Sequence, residues 1–389
     1  LVQEELIADF GRDTINTSPD QTKNTLSFFN LNGSHFINDA TQLTANTYYR
    51  KSKRTTLNGD VNDDFDTDLF DTWSAANPSD EVDEYLDTYC NSGVAAAVAE
   101  VRCSGALNTS NTKQKGYGFN TQLAFNQPFM QKQNHFIVGF CYDESKVKFT
   151  QASEMGLVNA QRSVDGIGIE NDEAEVDLHG KTKTYGLFAT DTLSLNDRLH
   201  LTISGRYNHT NVNNRDQIIT DSSDPESLNG NHSFQRFNPA MGLSFTPSQD
   251  LTLYGSYNEG MRAPTSMELG CANPAVPCKL PNAMAGDPPL EKVVAKTFEA
   301  GMRGNLTQDV KWSTAVYRTE NHNDIHFIAT NMTNGMGYFD NVGKTRRQGL
   351  DAALAGRAGK FSWNTGYSYL KATYQNNLDL LSPVNSSSN

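Results

Sequence analysis

An acidic stretch at residues 60–71, DVNDDFDTDLFD, has residue types and spacing that suit calcium. A calcium-binding loop carries oxygen ligands at its first, third, fifth, seventh, ninth and twelfth positions. The residues at those positions are Asp60, Asn62, Asp64, Asp66, Asp68 and Asp71. Phe65 stands where the sharp turn needs glycine, and the last ligand is aspartate instead of glutamate. The stretch is a candidate Ca²⁺ site, with a solvated acidic loop as the alternative.

The five cysteines divide into two local pairs and one remainder. Cys90 and Cys103 flank a helix-like stretch, and Cys271 and Cys278 lie in a loop-like, proline-containing stretch. Neither pair has the CxxC spacing or the companion ligands of a redox or zinc site. We therefore predict two disulfides, which indicate an oxidising compartment. Cys141 lies in an apolar strand pattern and is predicted to be a packed free thiol.

Motifs for catalysis are not supported by the sequence. The GKT at 343–345 lacks the glycine that a phosphate-binding loop carries five residues earlier, because Tyr338 stands there. His322 and His326 would lie about 13 Å apart on a strand, which is too far to share a metal ion. No GxSxG or HExxH sequence occurs. The net charge of −13 also argues against electrostatic binding of nucleic acid.

Alternation of apolar and polar residues is the dominant pattern of the chain and predicts an all-β fold. Leu199, Leu201 and Ile203 share one face of a strand whose other face carries residues such as Thr202 and Arg206. About twelve antiparallel strands are predicted, at 25–36, 41–56, 114–127, 134–150, 181–194, 198–214, 233–246, 250–262, 292–306, 309–328, 337–355 and 360–374.

Short and long connections alternate between the predicted strands. The longer ones are at 57–113, 151–180, 215–232, 263–291 and 329–336. In an antiparallel meander every second connection lies on the same side. One rim should therefore carry tight turns, and the other rim should carry long polar loops.

A membrane barrel and a soluble β-sandwich both produce this alternation. The polar faces carry Gly, Ser, Asn, Thr and Gln instead of a solvated Lys/Glu surface, which favours the barrel. Aromatic residues cluster near strand ends, as expected of girdles at the lipid boundary. We therefore predict an antiparallel transmembrane β-barrel, which must close because every backbone polar group in hydrocarbon needs a partner.

Several long phrases resemble the barrel of TonB-dependent outer-membrane receptors. They are EGMRAPTSMEL at 259–269, DPPLE at 287–291, AVYRTENHNDIHFI at 315–328 and YFDNVGKTRRQGLDAAL at 338–354. The resemblance extends over nearly the whole chain. It implies a 22-strand barrel with short periplasmic turns and long extracellular loops. Residues 1–389 would be a partial barrel domain that lacks the plug and the terminal strands. The loop at 57–113 would be large and extracellular, with a disulfide-tied minidomain.

The resemblance also implies a function and partners. The family takes up scarce bulky nutrients, such as ferric siderophores or similar metal chelates, through the Gram-negative outer membrane and without bond chemistry. The implied partners are outer-membrane lipid and lipopolysaccharide, a small-molecule chelate, and the TonB energy-coupling complex, which would bind through the N-terminal region that is not in this sequence.

Ligand capture is expected in the loops at 57–113, 151–180 and 263–291. Their acidic residues favour a neutral or cationic chelate. Two alternatives stay open at this point, a passive outer-membrane porin and a soluble secreted calcium-dependent β-protein.

Overall fold

A computed structural model describes residues 17–61, 105–159, 162–170, 175–224, 226–272, 278–279, 290–329 and 336–377. These residues form sixteen strands and one helical turn, α1 (Ser266–Leu269). In chain order the strands are β1 (Asp20–Asn38), β2 (Thr41–Val61), β3 (Gly105–Phe125), β4 (Asn134–Val158), β5 (Val164–Glu170), β6 (Val176–Asn196), β7 (Leu199–Asp216), β8 (Gly230–Ser248), β9 (Leu251–Arg262), β10 (Cys278–Lys279), β11 (Val293–Thr307), β12 (Val310–His322), β13 (Ile325–Ala329), β14 (Met336–Asn341), β15 (Lys344–Ala358) and β16 (Phe361–Tyr374). Among the described residues, no helix has the length and apolar character needed to cross a membrane.

Twelve of the strands form one antiparallel meander in the order β1-β2-β3-β4-β6-β7-β8-β9-β11-β12-β15-β16. Strand β5 pairs with β4 beside this path, and β10, β14 and β13 form a separate small sheet. The predicted all-β antiparallel fold is therefore confirmed.

The tight turns lie together on one rim, as predicted. They connect β1 to β2, β3 to β4, β6 to β7, β8 to β9, β11 to β12 and β15 to β16. Local chemistry favours two of them: the Asn38 and Asn196 side chains accept hydrogen bonds from backbone N–H groups two residues later. The long connections start from the opposite ends of the strands. We call the two ends the turn rim and the loop rim.

Two predicted strands, 309–328 and 337–355, are each divided in the structure. The breaks fall at Asn323 and Gly343, whose φ angles are +54° and +83°. Backbone hydrogen bonds join the breaks: Asp324 N–H donates to Gly343 and Val342 N–H donates to Asp324. The outer parts, β13 and β14, then pair with each other. Each of the two predicted strands is therefore two strands in the structure. One of them, β12 or β15, belongs to the meander, and the other, β13 or β14, belongs to the separate small sheet.

The two faces of the meander differ in what covers them. Residues 261–267 pack against one face, which we call the loop-covered face; on β6 it carries Gly180, Thr182 and Thr184. The other face, which we call the open face, carries Lys181 and Tyr185 on the same strand, since successive side chains alternate. The face under the loop therefore carries small polar side chains on β6, whereas the open face carries a lysine and a tyrosine there.

Large apolar side chains are exposed on the open face. The apolar band consists of Leu187, Ile203, Met241, Leu243 and Met302. Each of these residues is between 41% and 58% exposed. On the loop-rim side of this band lies the aromatic row, which consists of Tyr117, Tyr142, Tyr185, Tyr207, Phe237, Tyr257 and Phe298. The rings of Tyr142 and Tyr185 are 5.1 Å apart between centroids, and those of Tyr257 and Phe298 are 4.6 Å apart. Apolar residues outside and polar residues inside are the arrangement of a membrane barrel.

Candidate functional site

A short segment after β9 folds back onto the loop-covered face. Helical turn α1 begins with a capping box: the Thr265 side chain accepts from the Glu268 N–H, and the Glu268 carboxylate accepts from the Thr265 N–H at 2.8 Å. Arg262 Nη1 donates to the same carboxylate at 2.7 Å. The phrase EGMRAPTSMEL thus encodes a strand end followed by a self-capped turn.

Two apolar clusters hold this segment against the sheet. Leu269, which is fully buried, packs with Val212 of β7 and Phe234 of β8. Met267 packs against a second cluster that includes Phe149 of β4 and Leu178 of β6. Burial of a leucine contributes roughly 2 kcal/mol. The turn is therefore anchored on four different strands.

The backbone of the segment also approaches β6 and β7 closely. A Cβ atom at Gly180 would lie 2.5 Å from the Ser266 Oγ, so glycine is needed there for the contact. The buried Asn214 side chain donates to the Ser266 carbonyl at 3.0 Å. A buried carbonyl needs such a partner, and the bond fixes the height of the turn above the sheet.

Asn341 connects the far end of the same loop to the divided strands. Its side-chain oxygen accepts from the Glu291 N–H at 2.7 Å, and its amide donates to the carbonyls of Glu291 and Asn323 at 3.2 Å and 2.8 Å. The Glu291 carboxylate in turn accepts from the Asn323 amide. Both ends of the connection between β9 and β11 are thus fastened by specific hydrogen bonds.

Asp324 is the buried centre of a neighbouring polar cluster. Its carboxylate accepts from the Thr345 hydroxyl and from the Asn321 amide at 3.2 Å, and His326 Nε2 lies 3.4 Å away. Burial opposes the charged form, but these hydrogen bonds and the His326 ring outweigh it and lower the pKa of Asp324. Asp324 lies beyond the end of β12, outside the apolar band. The charged carboxylate therefore stabilises the strand break.

A cavity of about 600 Å³ lies between α1 and the loop-covered face. On the strand side its lining is rich in hydroxyl and amide groups and has one guanidinium, whereas most of the loop residues that complete it are apolar. The side chains on the strands are Thr112, Gln114, Ser145, Val147, Thr182, Thr184, Arg206, Asn208 and Thr210. The loop contributes residues 261 and 263–267. Such a surface offers many neutral hydrogen bonds to an oxygen-rich molecule.

Arg206 is the cation of this cavity. Its Nε donates to Asn208 Oδ1 at 2.8 Å, its Nη2 donates to Cys141 Sγ at 2.7 Å, and its guanidinium carbon lies 5.7 Å from the centre of the Phe188 ring. These contacts account for two of the five N–H donors of a guanidinium. Cys141 is free and buried, as predicted. The residues that hold Arg206 fix its position without neutralising its charge.

The predicted calcium ligands are placed only in part. Asp60 lies near the end of β2, opposite Ala106 of β3. The other five, Asn62, Asp64, Asp66, Asp68 and Asp71, fall outside the described residues. In the part of the chain that the structure describes, no group of three or more His, Cys, Asp or Glu residues could hold a metal ion. The calcium site therefore stays a prediction.

The predicted disulfides are also placed only in part. Cys90 and Cys103 lie outside the described residues, so their disulfide and the minidomain stay predictions. Cys271 is buried and disulfide-bonded. The side chain of Cys278 is not described, and its pairing with Cys271 stays a prediction.

The cavity itself was not predicted. Alternation had placed Arg206 on a polar face, and the loop at 263–291 was one of those expected to capture the ligand. The inward fold of the segment depends on contacts between distant parts of the chain. The glycine at position 180 is a signal that could have suggested a close approach.

Comparison with known proteins identifies the architecture. The sequence pattern of the family described as "TonB dependent receptor-like, beta-barrel" matches residues 5–387. The chain belongs to this TonB-dependent receptor family. The predicted resemblance is therefore confirmed.

Solved structures of TonB-dependent receptors have the same fold. The ferric-catecholate import receptor Fiu from E. coli K12 is 16% identical with a TM-score of 0.63, over 93% of this chain and 49% of that one. The siderophore receptor PiuA from Acinetobacter baumannii is 16% identical with a TM-score of 0.60, over 91% and 47%. The pyoverdine outer membrane receptor FpvA from Pseudomonas aeruginosa PAO1, bound to pyoverdine, is 13% identical with a TM-score of 0.61, over 91% and 45%. The chain thus spans about half the length of these receptors.

Membership in the TonB-dependent receptor family indicates what each face of the sheet contacts. The chain is part of an outer-membrane β-barrel of Gram-negative bacteria, so the open face meets lipid and the loop-covered face lines the lumen. The soluble alternative is not supported, because the apolar band would then be exposed to water. The total of 22 strands stays a prediction.

Proposed function

We propose that the protein is a receptor that takes up a metal chelate of the siderophore class across the outer membrane. The observation that carries the proposal is the 600 Å³ cavity on the lumen wall, which has a hydroxyl-rich lining and one guanidinium. A volume of several hundred Å³ is in the range of small-molecule sites. The similar receptors support this class of cargo: one is named for the import of a ferric catecholate, one is named a siderophore receptor, and one is bound to pyoverdine.

The chemistry of the cavity suits a ligand with many acceptor oxygens. Hydroxyl groups of Thr182, Thr184 and Thr210 can donate to such oxygens, and Arg206 can donate in a charge-assisted bond. The acidic residues of the predicted capture loops had favoured a neutral or cationic chelate. A chelate that is neutral overall and has exposed carbonyl or hydroxamate-type oxygens would satisfy both.

Transport by such a receptor needs no bond chemistry, so we assign no catalytic residue. The side chains of the cavity bind the chelate reversibly, and the anchored segment at 261–272 limits the space beside the sheet. Movement of the cargo would be driven by the TonB energy-coupling complex. A passive porin would instead conduct small ions and solutes in proportion to their concentration.

Binding of ferric chelates to the purified protein tests the proposal. A panel of ferric hydroxamate, catecholate and carboxylate chelates is titrated while protein fluorescence quenching is recorded. We expect at least one chelate to bind, and Arg206→Gln to weaken it by about tenfold, since a charge-assisted hydrogen bond contributes roughly 1.5–3 kcal/mol. Arg357→Gln, at the turn rim, is the matched control and should bind as the wild type does. Absence of binding to every chelate, together with channel conductance in planar bilayers, would support the porin instead.

A further inference from the structure

One pair of neighbouring strands in the meander is not joined along its full length. The pairing of β8 with β9 begins at the turn rim and ends at Ala240 and Asn258. Residues 230–239 of β8 and 259–262 of β9 extend beyond that point toward the loop rim and do not pair with each other. On their other sides both stretches stay paired, with β7 and with β11. Within the described meander this is the one boundary that opens toward the loop rim, and we call it the seam.

Pro239 lies at the point where the pairing stops. The register of β8 and β9 would place Pro239 opposite Glu259 as the next pair. Proline has no N–H to donate to a neighbouring strand, so in sheets it is found where that donor is not needed. Pairing with β7 continues through Pro239, which lies opposite Gly205. The missing N–H therefore accounts for the end of the pairing between β8 and β9.

The seam begins at the level where the hydrocarbon of the membrane ends. Met241 and Leu243 of the apolar band lie on the part of β8 that is paired with β9. Pro239 lies between Met241 and Phe237, which belongs to the aromatic row. Backbone polar groups in hydrocarbon must be paired, whereas water reaches those beyond the aromatic boundary. A gap in the wall is thus tolerated at the seam and would not be tolerated in the apolar band.

An ion pair crosses the seam from one face of the sheet to the other. Arg236 is directly opposite Asn208, which lines the cavity, so its side chain begins on the loop-covered face. Its Nη2 nevertheless donates to the carboxylate of Glu259, which is on the open face with Tyr257. The Tyr257 hydroxyl donates to the same carboxylate. Among the described residues this is the one ion pair that joins β8 to β9.

Met261 crosses the seam in the opposite direction. Alternation places it on the open face with Glu259, yet it lines the cavity and packs against the cluster that contains Val212 and Phe234. Methionine is flexible and fills irregular gaps. A Cβ atom at Gly260 would meet no atom of the described residues within 4 Å, apart from its chain neighbours. The cavity therefore extends to the seam, where side chains take the place of a hydrogen-bonded ladder.

Two buried polar atoms of β8 at the seam have no hydrogen-bond partner in the described part of the chain. They are Nε of Arg236 and Oδ1 of Asn238, a residue that is 6% exposed. Buried polar groups in proteins are normally bonded, and leaving them unbonded is unfavourable. Both atoms would gain partners if water or an oxygen-rich molecule entered between β8 and β9. The closed seam is therefore held mainly by the ion pair.

We propose that the seam is a side opening of the cavity, and that Arg236 and Glu259 are positioning residues that hold it closed. Separation of the ion pair lets the Met261 side chain turn outward and connects the cavity with the outside of the wall. The roof formed by α1 need not move, because Leu269 and Ser266 are anchored on β7 and β8 and not on β9. The proposal deepens the proposed uptake function and rests on it for what enters the cavity.

Access to the cavity is measured by labelling a thiol that is placed in it. Thr210 lines the cavity on β7 and is 6% exposed, and the reporter protein carries Thr210→Cys. The purified full chain is treated with a water-soluble maleimide, and the mass of the peptide around position 210 gives the labelling rate. Arg236→Gln is compared in this protein with Arg346→Gln. Arg346 is 26% exposed and pairs with Glu320 on strands that stay joined to the loop rim, so it is a matched control for Arg236, which is 25% exposed.

We expect Arg236→Gln to raise the labelling rate by at least about tenfold, because Glu259 loses a charge-assisted hydrogen bond across the seam. Arg346→Gln should leave the rate unchanged. Molar sodium chloride should raise the rate in the reporter protein, since salt screens a partly exposed ion pair, and should have little effect in Arg236→Gln. Arg236→Lys, which keeps the charge, should retain most of the closure. Hydrogen exchange of β7 in the same samples should be unchanged, which separates opening of the seam from unfolding.

A substitution at Pro239 tests whether the missing pairing is the opening. Pro239→Val restores an N–H donor, so we expect β8 to pair with β9 beyond Ala240. Labelling at position 210 should then be slow even in combination with Arg236→Gln, because the backbone takes over the role of the ion pair. Hydrogen exchange at Glu259 should slow at the same time.

Equal labelling rates in Arg236→Gln and Arg346→Gln would overturn the proposal. Fast labelling that persists when Arg236→Gln is combined with Pro239→Val would also overturn it, because the reagent would then enter by another way. Faster hydrogen exchange throughout β7 in Arg236→Gln would assign the ion pair to the stability of the whole sheet and not to the seam. These measurements need no chelate, so the side opening and the proposed uptake function can fail separately.

Discussion

The loop-covered face and the open face of the same strands contact different partners. On the loop-covered face, buried side chains have particular partners within the protein: Val212 packs with Leu269 of α1, and Asn214 donates to the Ser266 carbonyl. On the open face, Leu187 and Ile203 are more than half exposed, and the surrounding lipid is their partner. A change on the first face should act through lost contacts, and a change on the second face should act through transfer into or out of lipid.

The cavity depends on contacts of the first kind. The cavity is formed by side chains from four strands and a folded-back segment, so its shape depends on α1 being in place. The cavity is therefore suited to selecting one molecule.

The largest expected effect is from Leu269→Ala on the loop-covered face. It removes a fully buried side chain, and we expect the local free energy of opening of the segment at 261–272 to fall by about 4 kcal/mol. Hydrogen exchange of the backbone amides measures this. Leu187→Ala, the same substitution on the open face, is the control and should leave exchange in the segment unchanged. Equal effects of the two substitutions would show that the faces do not differ as described.

A charge in the apolar band should have the next largest effect. Ile203→Arg would expose a guanidinium to hydrocarbon, and we expect a loss of about 3 kcal/mol in the free energy of unfolding from lipid vesicles. Thr202→Arg, one residue away on the opposite face, loses only the hydrogen bond between Thr202 and Thr192, 3.0 Å long, so it should cost about 1 kcal/mol. Urea titration measures both. A larger loss for Thr202→Arg would contradict the assignment of the open face to lipid.

The repeating parts of the fold could be predicted from the sequence, because period-two alternation and tight turns are local. The faces of β7 and the six-turn rim follow from residues within a few positions of each other. The breaks at Asn323 and Gly343 could not, since they depend on hydrogen bonds such as that between Glu291 and Asn341, 50 residues apart. A positive φ at an asparagine has only a weak sequence signal.

The cavity could be predicted only in part. Arg206 could be placed on a polar face, but its contact with Cys141, 65 residues away, and the roof formed by α1 needed the tertiary structure. The Lys-x-Lys repeats at 51–53, 113–115, 146–148 and 181–183 are visible in the sequence. The face on which each pair lies depends on the strand register, because a shift of one residue would move each pair to the other face.

The smallest expected effect concerns Asp324, which fastens the strand break at the loop rim. Its pKa is lowered in the folded protein, so the charged carboxylate stabilises the break above its unfolded pKa. That stabilisation is lost as the pH falls through the folded pKa. We expect Asp324→Asn to lower the opening free energy of residues 336–345 by about 2 kcal/mol at neutral pH, because the hydrogen bonds from Thr345 and Asn321 lose a charged acceptor.

Hydrogen exchange, corrected for the intrinsic effect of pH, distinguishes protonation of Asp324 from acid destabilisation of the whole protein. In the wild type, protection of residues 336–345 should decrease on acidification below the ordinary range of an aspartate, and in Asp324→Asn it should be low and nearly independent of pH. Asp351→Asn, an exposed aspartate on β15, is the matched control and should follow the wild type. If the variant kept the acid-dependent loss, a different group would hold the break. The assignment of Asp324 as the charge that stabilises the break would then be wrong.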